Sequence, residues 1–73
     1  MRKMLTKSVM YGDLLDMMYM AKDGTVSKRR IRVLQMGESS FRAYCYMRRS
    51  RRTFTVDNVL ALVPVYEKEK VVM

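Results

Sequence analysis

The feature that most constrains the fold is a strict alternation of side-chain type from Phe41 to Arg48. Phe41, Ala43, Cys45 and Met47 fall on one side, and Arg42, Tyr44, Tyr46 and Arg48 fall on the other. A period of two predicts a half-buried β-strand with its apolar side on a core and its polar side in solvent. Such a strand needs partners, so the chain is expected to be built around a sheet.

Turn signals divide the rest of the chain into further strands. Asp23-Gly24 is a strong two-residue hairpin signal, and Gly37-Glu38 is the next turn. The predicted strands are residues 14–21, 25–36, 41–48, 53–56 and 59–66, with a basic exposed turn at 49–51. Pro64 favours an edge position or a bulge for the last strand.

A short helix is predicted in front of the strands, over residues 2–10, with Met4, Leu5, Val9 and Met10 as its apolar side. One helix and five short strands predict a mainly β fold, as a strongly bent sheet or partly open barrel. The 73 residues allow a single domain, with the barrel over about 14–66 and a tail at 67–73. The lone Cys45 permits no internal disulfide, and no apolar run is long enough to span a membrane, so a cytoplasmic protein is expected.

The excess positive charge lies in one segment, residues 28–52. This segment holds nine basic residues and one acidic residue, Glu38. Its net charge of +8 equals the net charge of the whole chain. Eight of the nine are arginines, which bind phosphate in a bidentate manner and stack on bases. A field concentrated in this way attracts polyanions.

The candidate binding face is the polar side of strand 41–48, with Arg30 and Arg32 from the strand beside it. Guanidinium groups next to tyrosine rings suit a ligand that carries both phosphate and base. The candidate residues are Arg30, Arg32, Arg42, Tyr44, Tyr46 and Arg48. The alternative is a merely solvated face, because strand propensity alone favours tyrosine at such positions.

Catalysis is not expected. The chain has no histidine, which removes the commonest general base and metal ligand. Cys45 lies on the apolar side of its strand and is expected to be a buried structural thiol. Asp13 and Asp16 fit a cap at the join between helix and strand better than a catalytic pair. We therefore expect no metal and no cofactor.

Four segments together resemble the WYL domain of bacterial regulators. They are Tyr19–Gly24, Arg29–Leu34, Phe41–Tyr46 and Arg52–Asp57, and the likeness extends over about residues 5–62. The chain departs from the family pattern where Ser39-Ser40-Phe41 replaces the naming tripeptide. It also has Val33 in place of a usual proline, and Asn58 in place of a common arginine.

The resemblance implies an Sm-like or SH3-like β-barrel with a leading helix, which acts as a ligand-sensing module in transcription regulation. The positions that match the family's basic strand positions are Arg30, Arg32, Arg42 and Arg52, with Tyr44 beside them. Arg52 shares strand parity with Phe54 and Val56, so an exposed role would require a bulge or a place at the barrel mouth.

The leading hypothesis is a non-enzymatic regulatory module that binds a nucleotide or single-stranded nucleic acid. Family members usually carry a separate helix-turn-helix domain, for which this chain has no room, so a stand-alone sensor that acts on a partner protein is expected. The alternative is a protein-interaction or oligomerisation subunit whose basic segment docks an acidic partner. Homo-oligomerisation and the identity of the ligand stay open at this stage.

Overall fold

A computed structural model describes residues 2–65, which form one helix and five strands. The elements are α1 (Arg2–Tyr11), β1 (Leu14–Met20), β2 (Val26–Met36), β3 (Ser40–Cys45), β4 (Ser50–Thr55), a short 3₁₀ turn (Val56–Asn58) and β5 (Val59–Pro64). The predicted Tyr66 of the last strand and the tail 67–73 lie outside the described residues. The mainly β fold with a leading helix is confirmed.

The five strands form one antiparallel sheet in the order β4-β3-β2-β1-β5. Within the described residues β4 and β5 are the two edges, so the sheet is open and only loosely resembles a barrel. Pro64 lies at the end of edge strand β5, as its missing N–H group requires.

One side of this sheet carries the core. The alternation predicted for the strand that starts at Phe41 is borne out as far as Cys45, because Phe41, Ala43 and Cys45 are nearly inaccessible to solvent. The buried apolar residues are Leu5, Leu15, Met17, Ile31, Val33, Phe41, Ala43, Cys45, Phe54 and Val59. The opposite side of β2, β3 and β4 carries exposed arginines.

Helix α1 packs on the core through Leu5 and Ser8, which are both fully buried. The Ser8 hydroxyl donates to the Asp13 carbonyl at 2.6 Å and accepts the Val33 N–H at 3.0 Å. The predicted apolar side is therefore wrong in part, since Val9 and Met10 are exposed. A small hydroxyl residue is buried because it satisfies a strand amide and a loop carbonyl at once.

The β1–β2 hairpin forms where Asp23-Gly24 predicted it, but its loop is one residue longer than a two-residue turn. Ala21 pairs with Thr25 through a 2.8 Å hydrogen bond, and Gly24 has the positive φ of 88° that closes such a loop. The Asp23 carboxylate accepts the Thr25 N–H at 3.0 Å. This backbone hydrogen bond lowers the pKa of Asp23 below its ordinary value of 3.8.

The β3–β4 connection departs from the sequence prediction. Strand β3 ends at Cys45, and residues 46–49 form the turn, in which Arg49 has a φ of 53°. Met47 is consequently 58% exposed and does not reach the core. Strand β4 begins at Ser50, three residues before the predicted start at Thr53, so the predicted turn at 49–51 is largely strand.

A tyrosine bridges the open side of the curved sheet. The Thr55 N–H in β4 donates to the Tyr19 hydroxyl of β1 at 2.8 Å, and the Tyr19 ring meets Phe54 edge-on at 4.9 Å. Among residues 2–65, no helix has the length and apolar character needed to cross a bilayer.

Candidate functional site

The outer side of β2, β3 and β4 brings arginines and a tyrosine into one cross-strand row. Tyr44 lies directly between Arg32 of β2 and Arg51 of β4 in the strand register. Side chains of directly opposed residues stand about 5 Å apart at Cβ on the same face of a sheet. The row therefore places two guanidinium groups on either side of one aromatic ring.

Arg42 joins this row to form a shallow concavity. A cavity of about 370 Å³ is lined by Arg32, Leu34, Gln35, Arg42, Tyr44 and Arg51. No carboxylate is among these lining residues, so three guanidinium groups share the concavity without an acidic neighbour in its wall. Three of the predicted residues, Arg32, Arg42 and Tyr44, are thus brought together.

Tyr46 extends the aromatic surface beyond the end of β3. Its ring meets that of Tyr44 edge-on, with centroids 4.9 Å apart and an interplanar angle of 74°. The Tyr46 N–H also donates to the Arg30 carbonyl at 3.0 Å, which fixes the start of the turn on β2. Tyr44 is half-buried while Tyr46 is 41% exposed, so both rings keep surface available for stacking.

Arg30 lies on the same outer face but is engaged within the protein. Its guanidinium contacts the Asp16 carboxylate of β1 with two hydrogen bonds, Nε to Oδ1 at 3.0 Å and Nη2 to Oδ2 at 3.4 Å. The sequence pattern indicates a cap at Asp16 and does not indicate this pair. Strand register explains it, because Asp16 and Arg30 are directly opposed in the β1–β2 ladder.

The structure separates Arg48 and Arg52 from the row. Arg48 lies exposed in the 46–49 turn and not on the strand face that alternation assigned to it. Arg52 is opposite Ala43 and shares the parity of Phe54, so it points to the other side of β4 from Arg51 and Thr53. At this edge strand Arg52 lines a smaller cavity of about 280 Å³ with Arg42, Arg51 and Thr53.

Arg51 is a functional candidate that the sequence pattern did not indicate. It was assigned to a turn, whereas the early start of β4 sets it directly opposite Tyr44. A bulge in β2 between Val33 and Gln35 adds Leu34 and Gln35 to the same wall. The available signal was the period of two along a strand. Arg51 lies two residues before Thr53, so their side chains lie on the same face of the strand.

A further arginine of the basic segment serves the structure. Arg29 donates to the Ser27 hydroxyl at 3.2 Å and to the Cys45 Sγ at 3.8 Å, and it lies 5.9 Å from the Phe54 ring centre. Burial opposes ionisation of the Cys45 thiol. Backbone N–H groups in the following turn and the Arg29 guanidinium outweigh burial, so the pKa of Cys45 lies below its ordinary value of 9.0.

Within residues 2–65, no three His, Cys, Asp or Glu side chains come together in a group that could hold a metal ion. The polar residues that line the outer-face concavity are Arg32, Gln35, Arg42, Tyr44 and Arg51, and guanidinium groups beside an aromatic ring suit binding of a phosphate.

Part of one solved structure, proteasome accessory factor B/C (PafBC) of Arthrobacter aurescens, has a similar fold. The two chains share 21% sequence identity with a TM-score of 0.79, over 99% of this chain and 12% of the PafBC chain. This chain thus spans about an eighth of PafBC, and at this level of identity the likeness concerns the fold. No protein-family model matches the sequence. No curated protein matches it either.

Proposed function

We propose that the chain is a WYL-like, non-enzymatic ligand-sensing module that binds a nucleotide or single-stranded nucleic acid on the outer face of β2, β3 and β4. The observation that carries this proposal is the shared concavity of Arg32, Arg42, Tyr44 and Arg51. Guanidinium forks hold a phosphate, and a tyrosine ring between them stacks the attached base.

The dimensions of the face support a ligand of this kind. Neighbouring strands are about 4.8 Å apart, so Arg32 and Arg51, which flank Tyr44 on either side, are two strand spacings apart. A phosphate and its base thus meet a cation and a ring within one short row. The concentration of positive charge in residues 28–52 raises the rate at which anionic ligands arrive.

The regulatory part of the proposal depends on two resemblances. The sequence segments quoted above resemble the WYL domain, and the fold is similar to part of PafBC, a protein named as a proteasome accessory factor. In this proposal the module passes ligand occupancy to a partner protein in the bacterial cytoplasm.

The test replaces Arg42 and Tyr44 together by alanine and follows a fluorescein-labelled dT12 strand by anisotropy at two salt concentrations. A base stack is worth about 1–3 kcal/mol and a charge-assisted hydrogen bond about 1.5–3 kcal/mol. We therefore expect the affinity to fall by about 50-fold or more. The salt dependence should also weaken, because fewer phosphates are neutralised.

The matched control is Tyr11→Ala with Lys22→Ala, which also removes one cation and one exposed tyrosine ring but lies outside the face. This control should bind dT12 as the unmodified protein does. Both double variants should keep nearly the original thermal stability. Arg42 is exposed and Tyr44 only half-buried, and in the control both Tyr11 and Lys22 are exposed. If the Arg42/Tyr44 variant still binds as tightly as the control, the assigned face is wrong.

A second candidate function, protein docking, is favoured by the exposed apolar side chains of edge strand β5. Leu60 is 48% exposed and Val63 is 57% exposed on a strand that has only one neighbour in the described sheet. Such an edge can accept a strand from another chain. Sedimentation at several protein concentrations, with and without dT12, separates the two functions, because self-association without uptake of the oligonucleotide favours docking.

A further inference from the structure

A second cavity, remote from the arginine face, lies where helix α1 meets β1 and the end of β5. Its volume is about 590 Å³, within the range of about 300–1,000 Å³ that is usual for small-molecule sites. It is lined by Lys3, Met4, Lys7, Tyr11, Asp13, Leu14, Leu15, Pro64 and Val65. None of these residues lines the cavity formed by Arg32, Arg42, Tyr44 and Arg51.

The walls of this cavity are held by the packing of the fold. Ser8 ties the helix to the Asp13 carbonyl and the Val33 amide, and the Gly12 N–H closes the helix end on the Ser8 carbonyl at 2.8 Å. On the opposite wall the Val65 N–H donates to the Leu14 carbonyl at 3.0 Å. The cavity is therefore largely pre-formed and requires little reorganisation to accept a ligand.

The floor and the rim of the cavity differ in chemistry. Met4, Leu14, Leu15, Pro64 and Val65 supply an apolar floor. Lys3, Lys7 and Tyr11 follow one another at four-residue intervals, so they share one side of the helix at the rim. Among residues 2–65 no carboxylate forms a salt bridge with either lysine.

The charges of the lining select the ligand. Two lysines and one aspartate give the lining a net charge of +1, which suits a single negative charge and disfavours a polyphosphate. The floor requires an apolar body and presents no guanidinium fork for bidentate recognition of phosphate. An apolar chain with one carboxylate has both features.

We propose that this cavity binds an amphipathic organic monoanion of the medium-chain carboxylate type, with its carboxylate between Lys3 and Lys7 and its chain on the apolar floor. The Tyr11 hydroxyl is a further donor at the rim. This site is independent of the proposed nucleotide site, because its lining and its ligand chemistry both differ.

The test titrates the full chain with sodium decanoate below its micelle concentration and follows backbone amide shifts by NMR. We expect saturable shifts in α1, around Leu14 and Leu15, and near Pro64 and Val65. Binding should persist when dT12 is present. Decan-1-ol lacks the charge and acetate lacks the apolar body, so each should bind at least about tenfold more weakly than decanoate.

The variant Lys3→Gln with Lys7→Gln should weaken decanoate binding about tenfold. The matched control Lys22→Gln with Lys28→Gln also removes two of the eight excess charges, which leaves +6 in both proteins, and should bind decanoate unchanged. Equal weakening in the two variants would mean general attraction to a basic protein and would overturn the proposal. Shifts centred on Arg32, Arg42 and Arg51, or no saturable binding, would also overturn it.

Discussion

At the scale of single residues, Asp16 sets the limit of the basic outer face. The Asp16 carboxylate forms a salt bridge with Arg30, which lies next to Arg32 on the same side of β2. An anion that approaches Arg30 must compete with a bidentate carboxylate already in place. The proposed binding face is therefore confined to β2, β3 and β4, and ends before β1.

Replacing Asp16 by asparagine removes the carboxylate that Arg30 contacts in β1 and makes the chain more positive by one charge. The affinity for dT12 should rise, and the plot of log K against log salt should steepen by about 0.7 for one added phosphate contact on a single strand. Stability should change little, because a partly exposed pair of this kind contributes about 0–1 kcal/mol. Anisotropy titrations at four or five salt concentrations measure the affinity and the slope, and urea unfolding measures the stability.

The matched control is Asp13→Asn, which gives the same change in net charge next to the helix. Both variants attract polyanions more strongly over a long range, but only the Asp16 variant should steepen the salt dependence. The same slope in both proteins would show that Arg30 takes no part in binding.

At the scale of the elements, Ser8 fastens α1 to the sheet. The helix has only ten residues, so its stability depends on packing. The hydroxyl serves a strand amide and a loop carbonyl in a position with no access to solvent. Leu5 supplies the apolar contact one turn earlier.

Ser8→Ala should destabilise the protein by about 1–3 kcal/mol, because the buried Val33 N–H loses its partner. Urea unfolding followed by circular dichroism measures the change in the free energy of unfolding. Thr6→Ala, on the exposed side of the same helix, should stay within about 0.5 kcal/mol of the original protein. A Ser8 variant within that limit would show that water or a shift of the helix replaces the hydroxyl.

The strand elements show how far sequence patterns reach. Periodicity predicted which residues of β3 are buried, because a sheet with one apolar side fixes the parity of every side chain. The pattern continued to Arg48, but the ladder ends at Cys45, and residues 46–49 contain no glycine, proline or asparagine to mark a turn. The backbone of Arg49 takes the left-handed conformation without such a residue. For this reason Arg51 was missed, although its neighbours in the binding row were identified.

The concentration of positive charge in residues 28–52 predicted only part of the binding face. It located the basic face, but it could not separate the arginines that line the concavity from those that contact other groups of the protein. Arg29 contacts Cys45 and the Phe54 ring, and Arg30 contacts Asp16, because cross-strand register sets these partners. Register depends on loop lengths and bulges that composition does not reveal.

At the scale of the whole molecule, the open sheet raises the question of what holds edge strand β4 in place. β4 has one hydrogen-bonded neighbour, β3, and it supplies Arg51 to the proposed site. Tyr19 adds a contact from β1, through its hydroxyl to the Thr55 amide and through its ring to Phe54. A side chain thus supplies this contact to β4, where a closed barrel would use a ladder of backbone hydrogen bonds.

Tyr19→Phe tests this role, because it removes the hydroxyl acceptor and keeps the ring. We expect a loss of about 0.5–1.5 kcal/mol in stability and faster hydrogen exchange at the Thr55 amide. Looser anchoring of β4 should also weaken dT12 binding, since Arg51 would be less well positioned opposite Tyr44. Tyr11→Phe, at an exposed ring, should leave all three measurements unchanged. If Thr55 exchanges at the original rate in the Tyr19 variant, the β3–β4 ladder alone holds the edge, and the fold does not need the bridge across its open side.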